Sequence, residues 1–146
     1  MTKALTIHVD IVSGEANIFS GQAQMVIAPA IIGEVGILPR HAPLLTPLKP
    51  GEVRIQLSED REEVFFISGG ILEIQPHVVT ILADTGVRAH DLDEAAALEA
   101  KQQAEKALAN KKSDFEYALA EVQLARAMAE LQTIQRQKLR TGHRTK

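Results

Sequence analysis

The stretch ADTGVRAHDLD, Ala83 to Asp93, marks where this chain changes character, and its reading decides the fold. Before it, branched and aromatic residues alternate with polar ones, and turn residues recur every few positions. After it there is no Pro, one Gly (Gly142), and twelve alanines between Ala95 and Ala129. Alternation with period two marks half-buried strands, whereas alanine-rich sequence poor in Gly and Pro favours helix. The expectation is an α+β chain with an N-terminal antiparallel β-sandwich, a docking domain over residues 1–86. An antiparallel two-helix hairpin with a basic, regulatory tail follows over residues 87–146. Such a build reads as a body that docks and a tail that moves, with Thr85 to His90 as the pivot.

Totals narrow the function classes. A length of 146 residues fits one ordinary domain or two small ones, and a body of about 86 residues buries its own core near the low end of feasible size. The chain has no Cys, which excludes disulfides and thiolate metal or redox sites. Met1 to Lys3 leads straight into a strand pattern, and no apolar run approaches about 20 residues. A soluble, uncleaved chain is expected, with membrane association only through a partner. The net charge of −3 is unevenly spread: six Lys/Arg against Glu130 between Arg126 and Lys146 give +5, leaving −8 for the rest. A basic end on an acidic body asks for an acidic partner surface or the body itself, or is a solubilising frayed end.

In the body, Leu5, Ile7, Val9 and Ile11 point one way and Thr6, His8 and Asp10 the other, and Val53, Ile55 and Leu57 repeat the pattern. Met25 to Ala28, Val64 to Ile67, Ile71 to Ile74 and Val78 to Leu82 are further strand-like runs. Ser13-Gly14, Ser20-Gly21, Pro50-Gly51, Ser58 to Asp60, Gly69-Gly70 and Pro76-His77 read as the turns between them. These connections are too short for crossover helices, which disfavours a parallel α/β sheet. Gly33 to Thr46 (GEVGILPRHAPLLT) reads as an exposed loop entering an edge strand, with apolar residues available as a contact patch. Leu44 and Leu45 are expected to fold back into the core.

Motifs that carry chemistry are few. His8 with Asp10 and His90 with Asp93 are histidine–carboxylate pairs at short spacing; the first is an ordinary polar pair on a strand face, and the second belongs to a helix start. No nucleophile elbow, phosphate loop, dinucleotide fingerprint or zinc motif occurs. Ser68-Gly69-Gly70 has no following helix to make a phosphate site and reads as a hairpin turn. The acidic body and scarce aromatics disfavour nucleic acid. No catalytic residues, metal or cofactor are assigned.

In the tail, Asp91-Leu92-Asp93-Glu94 and Ser113-Asp114-Phe115-Glu116 carry helix-start signals, with Asn110-Lys111-Lys112 as the break. Two helices are expected, Leu92 to Ala109 and Asp114 to Gln137, in an antiparallel hairpin. Ala97, Ala100, Ala104 and Ala107 would face Ala118, Val122, Ala125 and Ala129, with Leu124, Met128 and Leu131 forming a second seam. At about 0.8 kcal/mol per CH₂ an alanine seam holds little, while alanine propensity keeps each helix intact alone. Both a static hairpin and one that opens remain compatible with this pattern.

Asp10-Ile11-Val12-Ser13, Phe19-Ser20-Gly21, Gly33 to Thr46, Ser68 to Glu73, Gln75-Pro76, Val79 to Thr85 and Asp91 to Glu94, in this order and spacing, resemble the epsilon-subunit family of bacterial F-type ATP synthases. The resemblance runs along nearly the whole chain. It implies a non-catalytic central-stalk subunit at the cytoplasmic face of the bacterial inner membrane, peripheral and held there through the complex. Ala30, Ile31, Ile32, Gly33 and Glu34 would face the c-ring, and His41, Ala42 and Pro43 would lie at the gamma subunit. The helices would extend into the catalytic alpha/beta head and restrain ATP hydrolysis, with Arg126, Arg136, Lys138 and Arg140 meeting acidic residues there. Two departures stand out. Arg40 replaces the family's usual Gly before His-Ala-Pro. In the nucleotide-binding pattern that opens the first helix of some members, Leu92 and Asp93 are present but Ala96 replaces the arginine, so little ATP binding is expected. The rival reading is a stand-alone β-sandwich that binds a ligand or peptide; an enzyme ranks last.

Overall fold

Alternation makes Ile7–Val12 strand β1, with Ile7, Val9 and Ile11 buried and His8 and Asp10 on the opposite face. The structure, a computed structural model, describes residues 4–110 and 113–144. The expected break at Lys111-Lys112 and the chain end at Thr145-Lys146 lie outside the described residues. Nine further strands follow: β2 (Asn17–Ala23), β3 (Met25–Ala30), β4 (Gly33–Ile37), β5 (Leu44–Leu48), β6 (Gly51–Gln56), β7 (Glu62–Ile67), β8 (Gly70–Ile74), β9 (Val78–Ala83) and β10 (Gly86–Arg88).

The strands form a sandwich. One layer runs β10-β7-β6-β3 with β4 attached to β3, and the other runs β5-β8-β9-β1-β2. A single residue pair, Ala30 with Leu48, joins β3 to β5. All pairings are antiparallel except β1 with β9, where the last long strand returns beside the first and the intervening sandwich serves as the crossover. Ile11, Ile37, Ile55, Phe65, Ile67, Leu72 and Ile81 fill the core.

Several strands depart from the sequence expectation. Ser20-Gly21 is no turn but lies inside β2, because Ser20 and Gly21 pair with Asp10 and Val9 of β1. Gly33 to Ile37 is a strand rather than a loop, pairing residue for residue with β3. The next strand, β5, is not an edge, since it lies between β3 and β8. Leu44 packs against the core as expected, but Leu45 is 70% exposed because alternation along β5 turns it outward. Ser68-Gly69-Gly70 is a corner between layers rather than a hairpin turn, for β7 and β8 do not pair. Gly70 has φ +148, and a Cβ there would meet the Leu82 carbonyl oxygen at 2.1 Å.

Two compact units divide at Arg88: Met1–Arg88 and Ala89–Lys146. The stretch expected to pivot is largely anchored. Thr85 N donates to Ser68 Oγ at 3.0 Å, Gly86–Arg88 pairs with β7, and Arg88 reaches both Glu63 (3.1 Å) and the Phe65 ring (5.1 Å). Immediately after Arg88 the chain makes a 3₁₀ turn, Ala89–Asp91.

In the second unit, α1 (Glu94–Ala109) starts at Asp93, whose carboxylate accepts from Ala95 N and Ala96 N at 3.0 and 3.2 Å. Ser113 Oγ accepts from Glu116 N at 3.1 Å at the start of α2 (Asp114–Arg144), which runs on well past the expected Gln137. Buried residues recur at heptad spacing: Ala97 and Ala104 on α1, and Ala120, Ala127 and Ile134 on α2, with Leu108, Leu124 and Leu131 half-buried. The expected stripe is therefore corrected. Ala118, Val122 and Ala125 face outward with Met128, while Ala97 and Ala104 keep their place. The error is one of phase: alanine fills both faces of α2, and Leu124, Leu131 and Ile134 mark the packed one while Leu119 and Leu139 are exposed.

Candidate functional site

At one end of the sandwich, Ala30 and Gly33 pair across a two-residue turn that presents Ile31 and Ile32, 58% and 78% exposed. Gly33 sits at φ +128, a conformation suited to glycine. Glu34 is exposed beside this apolar tip, and Arg54 Nη2 donates to its Oε2 at 3.4 Å while Nε lies 3.8 Å from Glu52. Ala30 is fully buried, so its side chain belongs to the core and the tip offers Ile31, Ile32 and Glu34. The Arg54 link spans β4 to β6 across β3 and was not legible in sequence, since it depends on register.

A second surface lies just beyond β4. His41 N donates to Leu38 O at 3.1 Å, and its Nδ1 lies 2.7 Å from Ala42 O, an acceptor, so Nδ1 is the donor of that contact. Ala42 and Pro43 are exposed. Pro43, Leu44 and Leu45 line a surface groove with Glu73, Ile74 and Gln75. Arg40, where the resemblance leads one to expect glycine, has φ 65, and its N donates to Pro76 O at 2.9 Å. That left-handed backbone explains why glycine suits the position and shows that this chain carries strain there.

On the hairpin, the basic residues already have partners. Arg126 Nε lies 3.2 Å from Glu130, one turn along α2. Lys138 Nζ reaches Glu94 at 2.5 Å, across from α2 to the first turn of α1, and Arg140 Nη1 donates to Gln137 Oε1 at 3.2 Å. Arg136 is exposed on the same helix. Ala96, Ala100, Gln103, Gln123, Arg126, Ala127 and Glu130 line a groove between the helices. Asp93, one turn before it, spends its carboxylate on capping, and Leu92 is half-buried. The groove has Ala96 where the resemblance expects arginine, and its one lining cation, Arg126, is engaged by Glu130. Glu130, four residues after Arg126, was legible in sequence as its partner; Glu94 was not, because 44 positions separate it from Lys138.

The remaining titratable cluster is ordinary surface chemistry. On β1 and β2, Ser20 Oγ donates to Asp10 Oδ1 at 2.7 Å, His8 Nε2 lies 3.0 Å from the same oxygen, and Gln22 Nε2 approaches His8 Nδ1 at 3.1 Å. The Ser20 hydrogen bond, and then His8, hold the Asp10 carboxyl below its ordinary value against an opposing desolvation. Ser20 donates its proton to the carboxylate at 2.7 Å, while His8 Nε2 lies farther from the hydroxyl at 3.4 Å, an arrangement that orders the carboxylate rather than the serine. No cluster of three or more metal-ligating side chains occurs among the described residues, and no described helix is long and apolar enough to cross a membrane.

Comparison with known proteins identifies relatives of both units. Residues 6–89 match the family described as ATP synthase, Delta/Epsilon chain, beta-sandwich domain, and residues 90–135 match its long alpha-helix domain. The ATP synthase epsilon chain of Nitrosococcus oceani is 59% identical over 139 residues, covering 95% of this chain and 99% of that one. That of Alkalilimnicola ehrlichii is 60% identical over 131 residues, covering 90% and 94%. Among solved structures, a chain of the Euglena gracilis mitochondrial ATP synthase OSCP/F1/c-ring shares the fold with TM-score 0.77 at 18% identity, covering 85% of this chain and 78% of that one. A chain of the Tetrahymena thermophila mitochondrial ATP synthase central stalk/c-ring does so with TM-score 0.66 at 12% identity, covering 91% and 99%.

Proposed function

The chain belongs to the ATP synthase delta/epsilon chain family, which makes it a non-catalytic subunit of an ATP synthase, and from that premise we propose how it works. The sandwich docks on gamma and the c-ring within the central stalk and transmits rotation between them. The Ile31-Ile32-Glu34 tip addresses the c-ring, whose partner surface must offer an apolar recess and a donor for the acid. The His41-Ala42-Pro43 turn addresses gamma. The hairpin opens, extends along gamma and lets Arg126, Arg136, Lys138 and Arg140 meet acidic groups of the alpha/beta head, slowing ATP hydrolysis. The complex holds the chain at the cytoplasmic face of the bacterial inner membrane.

The observation that carries this reading is the hairpin seam. Among the described residues its buried members are four alanines, Thr133 and Ile134, so separating the helices exposes little apolar area, while cap and alanine propensity keep each helix formed. With Ala96 in place of the arginine and Arg126 engaged by Glu130, tight ATP binding does not set the switch in this reading. Calorimetry with ATP and the purified chain should give no micromolar isotherm. Adding the chain to a complex depleted of its own equivalent subunit should slow ATP hydrolysis, and unchanged hydrolysis would contradict the inhibitory role. Co-purification with tagged gamma separates this role from that of a stand-alone binding module.

A further inference from the structure

We propose that Glu94 is an internal stand-in for the acidic partner of the tail: it holds Lys138 in the closed hairpin and releases it when the helices part. The inference rests on the proposed opening of the hairpin. Its basis is the contrast between two pairs made within α2 and one made across the helices. Arg126 is paired with Glu130 and Arg140 with Gln137, both along the same helix, so these pairs travel with α2 unchanged when it moves. Lys138 is paired across helices, 44 residues away in sequence, with an acid in the first turn of α1. Opening the hairpin must break that pair and free an ammonium group for another carboxylate.

Placement strengthens the assignment. Glu94 stands beyond the Asp93 cap, at the end of α1 where an acid is favoured whether or not Lys138 is present. Its charge therefore persists in the open state and leaves Lys138 without a partner until one is found elsewhere. Both side chains are substantially exposed, 46% for Glu94 and 63% for Lys138, so the latch is weak and screened by salt. A weak latch suits a switch, because a competing acidic surface can overcome it. An exposed pair of this kind biases the closed form about two- to fivefold.

Opposite signs separate the two partners. Glu94→Gln removes only the latch, so it should favour opening and deepen inhibition in the assembled complex. Lys138→Gln removes the latch and the group it frees, so it should favour opening equally but without deeper inhibition. The chain has no native Cys, so spin labels at Gln102→Cys and Gln132→Cys report the helix–helix distance in the full chain. At low salt each single variant should raise the long-distance population about two- to fivefold over the parent. The double variant should add nothing further, and raising salt should bring the parent to the level of the variants. Unchanged populations in Glu94→Gln, or additive effects in the double variant, would overturn the latch. A label distance that stays short in every variant and in the assembled complex would instead remove the opening hairpin itself.

Discussion

The two units differ most in what they bury. Between its layers the sandwich packs Ile7, Ile11, Ile37, Ile55, Phe65, Ile67, Leu72 and Ile81, all nearly inaccessible. The hairpin seam buries Ala97, Ala104, Ala120 and Ala127, with Ile134 as its one large side chain below a tenth exposure. A buried large aliphatic or aromatic residue is worth roughly 1.5–3 kcal/mol, against about 0.8 for one methyl. The sandwich is therefore stabilised by tertiary packing and must remain whole to remain folded. Each helix is stabilised by its own backbone and caps, and their mutual contact is weak. That asymmetry supports the proposal of a docking sandwich and a moving hairpin.

The largest effect should come from emptying the sandwich core. Phe65 is fully buried, 5.6 Å from the Phe19 ring and beneath the Arg88 guanidinium. Phe65→Ala should cost about 3–5 kcal/mol in urea unfolding followed by a probe in the sandwich. Helicity of the second unit should survive at urea concentrations that unfold the first; simultaneous loss of both would erase the contrast. The seam should respond in the other sense. Ala104→Leu overfills a position that is 2% exposed and should cost about 1–3 kcal/mol. That loss should appear as wider helix separation by spin-label distance, with the sandwich melting point unmoved.

Smaller changes sharpen the picture of the sandwich. Arg40→Gly replaces a residue held at φ 65. Relief of about 1–2 kcal/mol, less the ~0.5–1 that glycine's freedom costs, should leave a net gain of about 0.5–1 kcal/mol and a few degrees in Tm. The smallest effect concerns Asp10. Its carboxyl is depressed in the folded state, so its contribution is present above the ordinary aspartate value and is lost as pH falls through the lower folded one. Ser20→Ala, which removes the main cause, should be less stable than the parent near neutral pH. The difference should fade well below 3.8, as urea midpoints at the two pH values would show.

Much of this was readable in the sequence, for identifiable reasons. Ile7 to Val12 and Val53 to Gln56 announce themselves because one face of each is buried and period two survives. The helix starts at Asp93 and Ser113 are local hydrogen bonds, visible in four residues. Strands β2 and β4 were hidden because Ser20, Gly21, Gly33 and Gly36 carry turn chemistry while partner strands β1 and β3 hold them extended. The seam was misphased because alanine fits either face of α2. Of the candidate surfaces, the Ile31-Ile32 tip and the His41 turn were located from resemblance. The Arg54–Glu34 and Lys138–Glu94 pairs required register and topology that no local pattern encodes.

Independence of the two units is tested most directly by ending the chain after Arg88 within the assembled ATP synthase. The shortened chain should still fold and co-purify with gamma and the c-ring, and the complex should hydrolyse ATP faster than one carrying the whole chain. Loss of assembly, or hydrolysis that stays at the parental rate with assembly intact, would contradict the division into a docking sandwich and a restraining hairpin.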